Sequence, residues 1–228
     1  MGMRRSLSMS VAAVLGLVAA QALAGGGGQY GGGQMGRPGA GAPSEIDTTP
    51  REEKPDAAAK KAYEGAMKAL RKAKELDAAA ADAPNADKRT RALEKASENY
   101  YRALDLFTLA LSNRGDMSDA WSNVGFIHLR IGAYREAVDD FDHALKQQPG
   151  VPDSIEYRAE ALLHLHYLED VQAAYMDLAG HARDRADRLM AFMQKWLAER
   201  RADPEGLRAA QLDAFDQWLK ERLKEASP

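Results

Sequence analysis

The stretch DAWSNVGFIHLRIGAYREAVDDFDHALKQQPG, residues 119–150, constrains the fold more than any other part of the chain. Trp121, Val124, Gly125 and His128 fall at i, i+3, i+4 and i+7, which is one face of a helix. Gly132 interrupts that pattern. Tyr134, Ala137, Phe141 and Ala144 then mark a second helical face that ends before Pro149. Ser118 stands where it would cap the first helix. Helices joined by so short a turn lie against each other, and Gly125, Ala137 and Ala144 let the two backbones approach. The stretch therefore predicts a helical hairpin.

The pattern recurs 34 residues on. Tyr134, Ala137, Phe141 and Ala144 map to Leu168, Val171, Tyr175 and Leu178, while Gly125 and His128 map to Ala159 and Leu162. Asp153 with Glu156 forms a capping-box start, and His166 replaces the turn glycine. Stepping 34 residues back gives Tyr100, Ala103, Phe107 and Ala110, a second-helix face. The first-helix positions fail there, since Asp87, Arg91 and Glu94 occupy them. The apolar face Leu93, Ala96, Tyr100, Ala103, Phe107, Ala110 also runs unbroken through Glu98, which predicts one long helix over 85–112 with Asn85 as its cap. It pairs with a helix over 57–80, capped by Asp56, whose face carries Tyr63, Ala66, Leu70 and Ala73. After Gly180 the repeat is lost. Leu189, Phe192, Met193, Trp196 and Leu197 predict another helix. Asp203 and Pro204 are placed to open a last one bearing Leu207, Ala214, Phe215, Trp218, Leu219 and Leu223.

Trp121-x2-Val124-Gly125-x2-His128, then Ala137-x3-Phe141, then Pro149, resembles the tetratricopeptide repeat signature W-x2-L-G-x2-Y, A-x3-F, P. Val replaces Leu and His128 replaces Tyr. The resemblance implies an all-α fold, with antiparallel hairpins stacked in a short right-handed solenoid. Residues 57–181 would form the repeat domain: a long-helix hairpin at 57–112, the best repeat at 118–151 and a degenerate one at 152–181. Residues 182–228 would be a helical hairpin capping the open end of the core. Such repeats hold proteins or peptides in a concave groove lined by the first helix of each pair. Carried onto this chain, the groove-facing positions are Ser122, Asn123, Phe126, Leu129 and Arg130, then Glu156, Tyr157, Glu160, Leu163 and His164. Asn123, Phe126, Arg130, Tyr157, Glu160 and His164 are the candidate peptide-binding residues. The carboxylate-clamp subfamily also needs Lys and Arg in the following repeat, where this chain has Asp153 and Tyr157, so a clamp is not expected. The mixed groove suits a partly apolar segment of mixed charge, and His164 is a candidate for pH sensitivity.

The first residues predict export. Arg4 and Arg5, the apolar Val11–Ala20 and the run Ala22-Leu23-Ala24 compose a signal peptide over 1–24, too short in its apolar part to stay in a bilayer. Cleavage after Ala24 removes two positive charges from a net −3, leaving −5, which argues against a nucleic-acid partner. Residues 25–56, beginning GGGGQYGGGQMGRPGAG, predict a flexible linker. The chain has no cysteine, so core burial alone must hold it, and neither a lipid anchor nor thiolate chemistry is expected. His164 and His166 are two apart and point in different directions on a helix. Asp139, Asp140 and Asp142 fall on the outer face of their helix and predict a solvated acidic surface. No nucleophile elbow, phosphate loop or zinc-protease motif occurs, so neither catalysis nor a cofactor or metal is expected. The sequence thus predicts a periplasmic or secreted interaction module for a protein or peptide, without stable membrane insertion. A self-associating structural envelope protein is the alternative, and an enzyme with an unrecognised carboxylate site is the third reading.

Overall fold

A computed structural model describes residues 55–226, and the expected signal peptide and nearly all of the expected linker lie outside them. The described residues form eight helices and no strand: α1 Pro55–Ala81, α2 Ala86–Asn113, α3 Ser118–Ile131, α4 Tyr134–Gln147, α5 Pro152–His164, α6 Leu168–His181, α7 Arg183–Ala202 and α8 Ala209–Ala226. The protein is all-α. The expected linker ends two residues early, because Pro55 and Asp56 already belong to the first turn of α1. Proline is tolerated there because the first helical N–H has no intrahelical partner.

Each helix packs on the next, and α5 also touches α3 and α7. Antiparallel pairing shows in the ring contacts: Trp121 at the start of α3 stacks on His143 near the end of α4, with centroids 4.6 Å apart. Gly125 of α3 faces the Phe141 ring of α4. A Cβ there would stand 3.1 Å from the Phe141 ring, so the glycine permits the approach.

The turn after α3 and the turn after α5 have the same backbone. Gly132 ends α3 with φ 84°, and His166, at 166 − 132 = 34 residues on, has φ 66°. Ala133 N donates to His128 O at 2.9 Å and Gly132 N to Leu129 O at 3.3 Å. Tyr167 N donates to Leu162 O at 3.0 Å and His166 N to Leu163 O at 3.1 Å. These are Schellman-type closures, in which a left-handed residue lets the chain reverse. A histidine carries the second one in a conformation that glycine adopts without strain.

The core runs through the molecule in overlapping groups. Ala66, Leu70, Ala73, Tyr100, Phe107, Val124 and Ile127 join α1, α2 and α3. Leu129, Ala137, Phe141 and Ala161 join α3, α4 and α5. Leu162, Val171, Tyr175 and Leu178 share a cluster with Met193, Trp196, Phe215 and Leu219, so α7 and α8 close over the side chains of α5 and α6.

Four expected caps differ from the structure, while the Asn85 cap forms, with Lys88 N donating to Asn85 Oδ1 at 2.9 Å. Asp56 lies inside α1. Ser118 is the first residue of α3 after Met117, and its hydroxyl bonds Gln148 Oε1 at 3.0 Å. Val151 precedes α5 with Pro152 in its first turn and no side-chain cap, because Asp153 and Glu156 pair with Arg185 from α7 instead. Asp203 ends α7 instead of opening α8, and Pro204 to Gly206 make a turn closed by Leu207 N to Pro204 O at 2.9 Å. In three of the four the polar group is drawn to a tertiary partner, or the chain turns before a helix can start.

Candidate functional site

The first helix of each pair contributes to one polar seam. Between α1 and α3, Arg130 Nη2 donates to Asp77 Oδ2 at 2.9 Å, and the buried Tyr100 hydroxyl donates to the same oxygen at 2.6 Å. Between α3 and α5, the hydroxyls of Ser122 and Ser154 are 2.7 Å apart. Between α5 and α7, Arg185 Nη1 donates to Glu156 Oε2 at 2.9 Å and also pairs with Asp153. Glu156 is buried, and the salt link satisfies a carboxylate that would otherwise be costly there.

Beside this seam lies an aromatic floor. Phe126 on α3 and Tyr157 on α5 meet edge to face with centroids 5.1 Å apart. Behind them Tyr157 stacks over Phe141 at 6.3 Å and Phe126 tilts on Tyr100 at 6.5 Å. Both floor residues are half-buried, each with part of its surface in solvent. The Lys74 ammonium of α1 stands 4.1 Å over the Phe126 ring, a cation–π contact. Tyr63, Asp119, Asn123 and Asp153 complete an open recess of about 240 Å³ above this floor.

Each expected site residue has a definite place. Asn123 lines the recess, and its amide donates locally to Asp119 O at 2.8 Å. Phe126 and Tyr157 are the floor itself. Arg130 is tied back to Asp77. Glu160, one turn beyond Tyr157, is half-buried and makes neither an ion pair nor a side-chain hydrogen bond with any described residue. Burial, together with the charge of Glu156 and against the opposing charge of Arg130, pushes its carboxyl up to about 7. His164 sits away from the recess, stacked on Tyr134 at 4.2 Å with Phe192 edge-on at 5.8 Å. Its burial there, aided by the Arg200 and His166 charges, holds the imidazole down at about 4. Leu129 and Leu163 are core residues, and Glu156 is a seam residue, so none of the three presents a side chain to a groove.

Lys74 and Asp77 were not legible as site residues. They lie on α1, which the 34-residue step does not assign as the first helix of a repeat, and their charges resemble those of any solvated helix face. The expected acidic surface at 139–142 also needs correction. Asp140 is buried, 2.5 Å from His128 Nδ1 across the α3–α4 hairpin, and Asp142 takes a bond from Arg158 Nε at 2.6 Å. His128, standing where the repeat signature has tyrosine, thus uses a polar partner in place of a phenol.

Among the described residues no group of three or more His, Cys, Asp or Glu is placed to hold a metal ion, and no helix is long and apolar enough to cross a membrane. A scan against protein-family models matches none, and a search of curated proteins finds no relative.

Proposed function

We propose that this chain is an exported, non-catalytic interaction module of tetratricopeptide type, a short solenoid that holds an extended segment of another protein along the inner face of α1, α3 and α5. The observation that carries the reading is the Phe126–Tyr157 floor, half-open to solvent and flanked by Lys74 and Asn123. Aromatic side chains in partly desolvated recesses are the kind of group that dominates interface energy. The turn geometry shared by Gly132 and His166 at 34-residue spacing supports a repeat origin for the two hairpins, and stacked repeats expose one extended face.

The test is quantitative capture from an envelope extract with the full chain. Three proteins are compared: wild type, Lys74→Glu/Tyr157→Ala, and an outer-face control, Glu136→Ala/Asp139→Ala, all exposed at the control positions. The expected result is a partner recovered by wild type and control and lost with the inner-face variant, whose melting transition stays cooperative. Equal recovery by all three proteins removes the inner face as the site. Recovery of nothing but copies of the chain itself replaces this reading with self-association.

A further inference from the structure

We propose that Glu160 receives a cationic side chain, Lys or Arg, of the segment held on the Phe126–Tyr157 floor; this rests on the groove reading above. Along the seam, two arginines face four carboxylates. Arg130 is bonded to Asp77, and Arg185 is shared by Asp153 and Glu156. Of these four, Glu160 is the one left over, while Asp119, in the recess at the Lys74 end, is likewise in no ion pair with a described residue. It makes no ion pair or side-chain hydrogen bond with any described residue, and neither of its oxygens is a sealed, unsatisfied atom. The carboxylate is therefore partly open to solvent, one turn from Tyr157 and beside the recess, whose lining does not include it. A lysine or arginine stem would lie on the Tyr157 ring while its head meets the carboxylate, the arrangement long cationic side chains adopt over apolar surface.

Other charges help to orient such a ligand. Lys74 stands over Phe126, so a second cation is disfavoured at that end and a cation at the Glu160 end is favoured. The groups acting on Glu160 are Glu156 on its own helix and Arg130 on α3, and Tyr157 in turn feels the Glu160 charge. Because burial keeps this carboxyl near half-protonation at neutral pH, a bound cation would draw it to the ionised form and expel up to about half a proton. A neutral ligand at the same place would release none.

The experiment pans a phage-displayed library of random linear peptides on the full chain. Selected peptides are then synthesised and titrated calorimetrically at pH 7 in buffers of different ionisation enthalpy. The expected result is peptides sharing a Lys or Arg next to an apolar residue, with proton release on binding. Glu160→Gln should weaken them roughly tenfold and abolish the release, while Tyr157→Ala also weakens them. Peptides that depend on Tyr157 but lack a shared basic residue, and bind Glu160→Gln equally well, overturn the role of Glu160 and leave the groove standing. Peptides indifferent to Tyr157→Ala, or a panning that selects none, overturn both.

Discussion

Arg130 and Tyr100 converge on one oxygen of Asp77, at 2.9 and 2.6 Å, so a single carboxylate of α1 ties together α2 and α3. Its other oxygen is buried without a partner, which makes this junction sensitive to what remains after truncation. Tyr100→Phe removes one neutral donor and is expected to cost about 1 kcal/mol. Asp77→Ala leaves the buried Tyr100 hydroxyl unpaired and should cost about 2 kcal/mol. Because the residues share one network, the double variant should cost less than the sum. Urea unfolding of the four proteins checks this, and strict additivity would contradict the shared role.

Gly125 and Phe141 make a second sharp case. A methyl group at 125 would press on the ring from 3.1 Å, and the ring is fully buried. Gly125→Ala should lower stability by about 1–3 kcal/mol despite its better helix propensity. Phe141→Leu in that background should restore part of the loss. A stabilised Gly125→Ala protein would show that the hairpin is looser than described.

The two left-handed turn residues should respond oppositely to substitution. Gly132→Ala forces a Cβ into positive φ and is expected to cost about 1–2 kcal/mol. His166→Gly relieves the same strain but gives up the ring contact with Trp196 at 5.9 Å, so its net effect should be neutral to mildly stabilising. Thermal melts of the pair decide the matter. A large loss on His166→Gly would mean that the ring contact outweighs the backbone.

Glu160 and the buried His164 move stability in opposite directions with pH, and over the range where their titrations overlap the two largely cancel. Glu160 titrates near 7 in the folded chain and at the ordinary, lower value when unfolded, so the folded state binds more protons between them. Stability from this group is therefore lost as pH rises toward 7, and Glu160→Gln should gain on the order of 1 kcal/mol at pH 8. His164 titrates near 4 when folded and near the ordinary 6.5 when unfolded, so the unfolded state binds more protons there. Stability is fully present above about 6.5 and declines as pH falls toward 4. His164→Phe, which keeps a ring against Tyr134, should leave only the Glu160 slope, so that stability falls as pH rises toward 7. Glu160→Gln should leave only the His164 slope, with stability falling as pH drops toward 4. Denaturant midpoints from pH 4 to 8 test both slopes, and unchanged slopes in the two variants would remove these assignments.

Helices and buried faces were legible in the sequence because their causes are local. The face expected for the long second helix, Leu93, Ala96, Tyr100, Ala103, Phe107 and Ala110, is buried residue for residue. The spacing of 3.6 residues per turn places side chains without reference to the rest of the chain. The hairpin turn after residue 131 was marked by its glycine, and even the unusual His166 occupies the place that the 34-residue step assigned to a turn. Phe126 and Tyr157 were named only through what the resemblance to the tetratricopeptide signature implies, and it is the packing of α3 on α5 that brings the two rings together.

The fates of the polar side chains were decided only by tertiary structure. Asp153 and Glu156 read as a helix cap, yet Arg185 arrives across the α5–α7 junction and takes both. Asp140 read as a surface charge, yet His128 meets it inside the hairpin. Arg130 read as a free groove residue, yet Asp77 of α1 holds it and leaves Glu160 alone. The physical reason is the same in each case. An apolar face needs only any apolar surface to bury it, whereas a charge depends on which particular partner the packing of distant helices brings within about 3 Å.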